Sequence, residues 1–168
     1  IKYGSIKGDL QIQTKYSDGQ ESIEDMAKSA IKLGLEYIAI TDHSKSLGVA
    51  HGLKEKDLFK QFKEISKLNL KFRKQKLNFT ILKSSEVNIL KDGSLDWRDD
   101  ILKQMDIVLG AIHDNFNLSR NEQTNRMIKA MNNNYVDIIV HPTGRLIQKR
   151  PAYKIDMPKV LQAAAKTK

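Results

Sequence analysis

Tyr37-Ile38-Ala39-Ile40-Thr41-Asp42-His43 is a short apolar run that turns polar and reaches a histidine. A run of this length, bounded by glycine upstream and polar residues downstream, reads as a buried strand rather than a helix. The pattern returns twice. Residues 107–112 form an apolar run ending at His113, and residues 136–140 form another ending at His141-Pro142. A first strand over 8–13 alternates in character. A further strand over 79–82 leads to Glu86, followed by 87–90 and the turn Lys91-Asp92-Gly93.

Helices fall between these strands. Ser22 opens one, with Asp25 at capping distance, and Ile23, Met26, Ala27, Ala30 and Ile31 lie on one face before Gly34 stops it. Leu58, Phe62, Ile65 and Leu68 repeat at three- and four-residue steps and predict a long amphipathic helix over 54–74. A short helix is expected over 96–104. Ser119 with Glu122 makes a capping box for a helix reaching Asn132, and a last helix starts near Asp156. Five strands alternating with helices imply an α/β domain with a parallel sheet. Pattern alone leaves both a doubly wound sheet and a barrel open. No glycine-rich dinucleotide fingerprint or phosphate loop follows any strand, which weakens the nucleotide-binding doubly wound folds.

The chain of 168 residues is long enough for one domain with a substantial core, and no composition break divides it. It has no apolar run of about 18 residues, so no membrane partner is expected, and it carries no signal-peptide pattern. It has no cysteine, which excludes disulfides and thiolate metal sites and fits a cytoplasmic protein. The net charge of +9 favours polyanionic partners, although the densest basic stretch, 54–76, also reads as a solvated helix face.

Three of the four histidines, His43, His113 and His141, fall at or just past strand ends. Glu86 is expected after the third strand and Asp18 in the loop after the first. Strand ends of a parallel barrel converge on one face, and imidazoles with carboxylates suit Zn²⁺, Mn²⁺ or Fe. Asp42 reads either as a partner orienting a ligand or as a cap of its loop. His51 has no strand-end position and reads as ordinary surface.

These residues carry a resemblance. Gly8-Asp9-Leu10-Gln11-Ile12-Gln13-Thr14 with Ser17-Asp18-Gly19 resembles the first motif of the polymerase-and-histidinol-phosphatase (PHP) superfamily. Thr41-Asp42-His43-Ser44, Ser85-Glu86-Val87 with Lys91–Asp96, Ala111-Ile112-His113 and His141-Pro142-Thr143-Gly144-Arg145 are similar to the motifs that follow. The connecting stretches 46–53 and 116–119 resemble the PHP domain attached to family X DNA polymerases.

The resemblance implies a distorted (βα)7 TIM-like barrel, here truncated to about five βα units, as a single domain over 1–168. It implies up to three Mn²⁺ or Zn²⁺ ions on Asp18, His43, Glu86, His113 and His141. His43, Glu86 and His113 would be catalytic through those metals, and Lys45 and Arg145 would bind phosphate. The implied activity is metal-dependent processing of DNA 3′ ends, independent of sequence, by a 3′–5′ exonuclease or phosphodiesterase with a polymerase core upstream in the same parent chain.

Two departures stand out. Gln11-Ile12-Gln13 replaces the common His-x-His, and a neutral amide is a poorer ligand for a transition metal than imidazole, so at least one metal position is expected to be weak. The family's later Asp-x-His pair is expected beyond Lys168. A catalytically degenerate DNA-binding or structural module, and a histidinol-phosphatase-like small-molecule phosphatase, remain as alternatives.

Overall fold

The computed structural model describes residues 2 and 4–167, without the side chain of residue 49. Lys168 lies outside the described residues. The chain forms two compact units, Ile1–Ser85 with Gln104–Ile107, and Glu86–Lys103 with Val108–Lys168.

In the first unit, β1 (Gly8–Ile12), β2 (Tyr37–Ile40) and β3 (Thr80–Lys83) form a parallel sheet in that order. Helices α1 (Ile23–Lys32) and α2 (Glu55–Lys74) make the crossovers. Ser22 caps α1 by accepting from the Asp25 amide. At the other end the Leu35 amide donates to Ala30 and the Gly34 amide to Ile31. This closure needs Gly34 at φ +79, a value at which a Cβ is penalised. Ile23, Ala27 and Ala30 pack with Ile38, Ile40, Ile65, Phe72 and Ile81 in one core. One edge of β3 is covered by Asn69 of α2, whose amide nitrogen donates to the Ile81 carbonyl at 2.8 Å while its oxygen accepts from the Ile81 amide at 2.8 Å.

The second unit holds β4 (Glu86–Asn88), β5 (Leu109–Ala111) and β6 (Ile138–Ile139), again parallel and in that order. Its helices are α3 (Asp99–Leu102), α4 (Arg120–Met131) and α5 (Met157–Ala164). The expected capping box is present at Ser119 and Glu122. Asp156 caps α5, and its backbone amide donates to Thr124 Oγ1 of α4 at 2.9 Å. Ile89, Ile112, Met127, Ala130, Tyr153 and Val160 form the core.

The α/β class with parallel strands holds, and one expectation needs correction. Glu86 does come just past the third strand, but it also opens a strand that the sequence did not announce. Lys83 is the last residue paired with β2, and Ser84 and Ser85 intervene. Glu86 then opens β4, in register with Leu109 of β5. What reads as one strand with a polar end is two strands in different sheets, giving six strands among the described residues where five were expected. The break is polar and buried, and the Ser85 hydroxyl donates to the Asp42 carbonyl at 2.9 Å. The last two strands are also shorter than their apolar runs, because only Leu109–Ala111 and Ile138–Ile139 keep ladder pairing. No helix among the described residues is long and apolar enough to cross a membrane.

Candidate metal centre

In the second unit three side chains meet at one oxygen. Glu86 is buried at the start of β4. Its Oε1 lies 2.9 Å from His113 Nε2 and 2.7 Å from His141 Nε2. The two rings are edge to face with centroids 5.2 Å apart. His113 sits two residues past β5 and His141 two residues past β6. β4, β5 and β6 are adjacent and parallel, and the segments just past β5 and β6 carry both imidazoles to the carboxylate that opens β4. The His141 backbone is at φ +32, in the left-handed region that a non-glycine residue seldom adopts. Its carbonyl accepts from the Gly144 amide at 2.9 Å, closing a tight turn that holds it there. Such strain persists where the surroundings impose it, and it concentrates at functional positions.

Behind His113 stands a buried guanidinium. Arg126 of α4 donates to the carbonyls of Leu90, Ile89 and Asp114, and its Nη2 is 2.6 Å from the Asp114 carboxylate. Burial would raise the Asp114 pKa, but hydrogen bonds from Asn115 and Arg126 outweigh it and hold the carboxyl below its ordinary value. Arg126 thus ties the loop after β5 to the end of β4. The sequence reading missed it. Its signal was a charged residue one position before Met127, on a helix whose Gln123, Met127 and Ala130 are buried.

The first unit treats its polar strand ends differently. Asp42 is buried, and its two oxygens accept four hydrogen bonds. Oδ1 takes the Thr14 amide at 2.7 Å and the Ser17 hydroxyl at 2.5 Å, and Oδ2 takes the Thr14 hydroxyl at 2.6 Å and Gln61 Nε2 at 2.6 Å. Asp42 therefore anchors the loop after β1 and ties it to α2. Gln61 was also missed, although an amide on the buried stripe of α2, between Leu58 and Ile65, was visible in the sequence.

His43 is buried, with Nε2 3.7 Å from Asp18 Oδ1, a distance of charge proximity rather than a hydrogen bond. Gln11 is exposed, and Gln13 is half-buried with Nε2 3.4 Å from the Thr41 carbonyl. Lys45 and Arg145 are both exposed. His51 is exposed at the end of a 3₁₀ turn, as expected for a surface residue.

A family model described as the PHP domain matches residues 9–162. The chain belongs to the PHP domain family. It is similar to the DNA polymerase/3'-5' exonuclease PolX of Bacillus subtilis (strain 168), at 48% identity over 167 residues, covering 99% of this chain and 29% of that protein. This matches the resemblance to the PHP domain of family X polymerases. It is also 38% identical over 151 residues to a probable phosphatase of Thermoanaerobacter sp. (strain X514), covering 85% of this chain and 54% of the relative. A probable phosphatase of Shewanella sediminis (strain HAW-EB3) is 32% identical over 149 residues, with 86% and 54% covered. The chain thus spans under a third of the polymerase and about half of the phosphatases it matches.

PHP domains are metal-dependent, and the donors around Glu86 suit a metal ion. Two ligands at about 2.0–2.1 Å from a tetrahedral ion lie about 3.3 Å apart. The Glu86–His141 and Glu86–His113 separations of 2.7 and 2.9 Å fall about 0.6 and 0.4 Å short of that spacing. An imidazole that donates from Nε2 to a carboxylate gives up that proton when a metal takes its place, so this cluster is built from groups able to exchange a hydrogen bond for a metal bond.

Proposed function

We propose that this PHP domain is a metal-dependent phosphodiesterase that trims DNA from its 3′ end. The observation that carries the reading is Glu86 Oε1 held between His113 and His141. A bound Mn²⁺ or Zn²⁺ would polarise the phosphate and lower the pKa of a coordinated water. Glu86, His113 and His141 would hold the ion, with Glu86 neutralising charge and Arg126 fixing the loop that presents His113. On the motif resemblance we extend the ligand set to His43 and Asp18, with His43, Glu86 and His113 acting through the metals. Lys45 and Arg145, both exposed cations close in sequence to these residues, would neutralise non-bridging phosphate oxygens.

The choice of DNA draws on the polymerase/exonuclease relative and the net charge of +9. In this reading residues 1–168 are one domain of a longer cytoplasmic protein with a polymerase core upstream and barrel closure as in (βα)7 folds. The relatives named as probable phosphatases favour a second reading, hydrolysis of a small phosphomonoester.

The test supplies Mn²⁺ and measures release of nucleotides from a 3′-labelled duplex beside hydrolysis of a phosphomonoester. Stepwise 3′ release supports the proposal. Monoester turnover without DNA turnover selects the second reading. DNA binding with neither activity leaves a structural module.

A further inference from the structure

The segment after His141 contains a small hairpin whose composition the metal ligands do not explain. The Leu146 amide donates to the Arg150 carbonyl at 2.9 Å, and the Arg150 amide returns the bond at 2.9 Å. Three residues, Ile147-Gln148-Lys149, form the tip, with Gln148 at φ +63. Ile147 is 76% exposed and Leu146 49%. Exposed Arg145 and Lys149 flank them.

An isolated exposed isoleucine is unremarked on most surfaces. Here the exposed pair sits on a braced mount. Arg150 Nε and Nη2 both donate to the Gly144 carbonyl, at 3.0 and 2.8 Å. Its guanidinium lies 3.9 Å from the Phe116 ring centre, and Phe116 stacks on Tyr153 at 5.9 Å and 10°. The Tyr153 hydroxyl donates to the Pro142 carbonyl at 2.8 Å, and its amide to Thr143 at 3.1 Å. A Cβ on Gly144 would meet the Tyr153 ring at 2.5 Å, so glycine lets the ring seat against the turn that also sets His141. The hairpin is therefore fixed in position by the same turn that fixes a proposed ligand.

We infer that the hairpin Leu146–Arg150 is a wedge for the end of a nucleic-acid duplex, with Ile147 and Leu146 entering the terminal base step and Arg145 and Lys149 holding the flanking phosphates. This rests on the DNA reading above and deepens it, because an unstacked terminal nucleotide can carry its phosphodiester further into a site than one held in the duplex. Leucine and isoleucine wedges unstack base steps in other nucleic-acid complexes, and a rigid mount lowers the ordering cost of doing so. Cations on both sides of an apolar tip match a target that is apolar between base planes and anionic along its two backbones.

The experiment uses the whole chain in EDTA, so that no hydrolysis occurs, and a duplex carrying 2-aminopurine at a 3′ terminus. Binding of the natural chain should raise the fluorescence about threefold as the base unstacks, and Leu146→Ser with Ile147→Ser should abolish most of that rise while affinity falls by less than about threefold. Arg145→Ala with Lys149→Ala should weaken binding about tenfold and lower the log–log salt slope by about 2. All four side chains are exposed, and an unchanged circular-dichroism melting curve will establish that each variant is folded.

A bound duplex with no fluorescence rise overturns the inference, as does a serine variant that keeps the full rise. So does binding to phosphatidylserine vesicles without binding to DNA. Because the readout is metal-free, a rise without any Mn²⁺-dependent hydrolysis supports the wedge and sinks only the enzymatic reading. Nucleotide release without a rise does the reverse.

Discussion

Asp42 and Glu86 are both buried carboxylates at the polar margin of a parallel sheet, yet their surroundings commit them to different work. Asp42 accepts from a backbone amide, two hydroxyls and a side-chain amide, two donors on each oxygen. A carboxylate offers about four lone-pair sites, so this one is saturated by neutral donors that do not ionise near neutral pH. Glu86 Oε1 instead faces two imidazoles. Imidazole nitrogens release a proton and bind metal near neutral pH, which amides and hydroxyls do not. The partners, more than burial or position on a strand, separate a structural carboxylate from a candidate ligand.

The largest effect that would break this comparison is on activity. Glu86→Gln keeps the shape and removes the charge, and should lower metal-dependent phosphoester hydrolysis about a thousandfold, since a bound metal is worth several kcal/mol at the transition state. Elemental analysis should show fewer ions per chain in the variant. Unchanged metal content would mean that Glu86 is no ligand. Asp42→Ala should act on stability. It strands the Thr14 amide and the Gln61 amide in a buried place and should cost about 3–5 kcal/mol, read from the denaturant midpoint. Equal losses of stability in the two variants would erase the distinction.

The motifs made part of this legible. Helix caps at Ser22 and Ser119 were readable because capping depends on residues three apart in sequence. His113 and His141 were readable as strand-end residues because each apolar run stops just before them. Glu86 was singled out as a candidate ligand, but the strand it opens was not. The serines before it look like the end of a strand, and the switch of pairing partner from β2 to β5 is a long-range choice with no local mark. Arg126 and Gln61 escaped for a related reason. A polar residue on a buried helix stripe reads as a flaw in the period until its partners, carbonyls from other segments or a distant aspartate, are known.

Metal binding should also shift stability. A ligand at a hundred times its Kd stabilises by about 2.7 kcal/mol, so adding Mn²⁺ or Zn²⁺ to chelated protein should raise the melting temperature by roughly 5–10 °C. In Glu86→Gln the rise should shrink to a few degrees. The glutamines of the first motif sharpen the other side of the comparison. Gln11→His with Gln13→His supplies two imidazoles where neutral amides now stand, and metal per chain should increase. No change by elemental analysis would show that this loop holds no ligand position.

The smallest expected effect concerns two tyrosines, one in each unit, whose pKa values are pushed up to about 12 by different means. Tyr16 is raised by burial and by its hydrogen bond to Glu64, where a second negative charge would be repelled. Tyr153 is raised by burial alone, against the pull of Arg126 and Arg150. In both cases the folded chain favours the neutral phenol. The unfolded chain ionises from the ordinary value near 10, so the stabilisation is fully present below pH 10 and is lost as pH rises toward 12. Thermal melting across that window should fall for the natural chain. Tyr153→Phe should start slightly lower at neutral pH, having lost its bond to the Pro142 carbonyl, a change of about 1 kcal/mol. It should then fall less steeply with alkali, because one of the two ionising groups is gone. Parallel curves for the two proteins would mean that the Tyr153 hydroxyl is better solvated than its place against Gly144 and Phe116 implies, and would loosen the mount on which the hairpin after His141 depends.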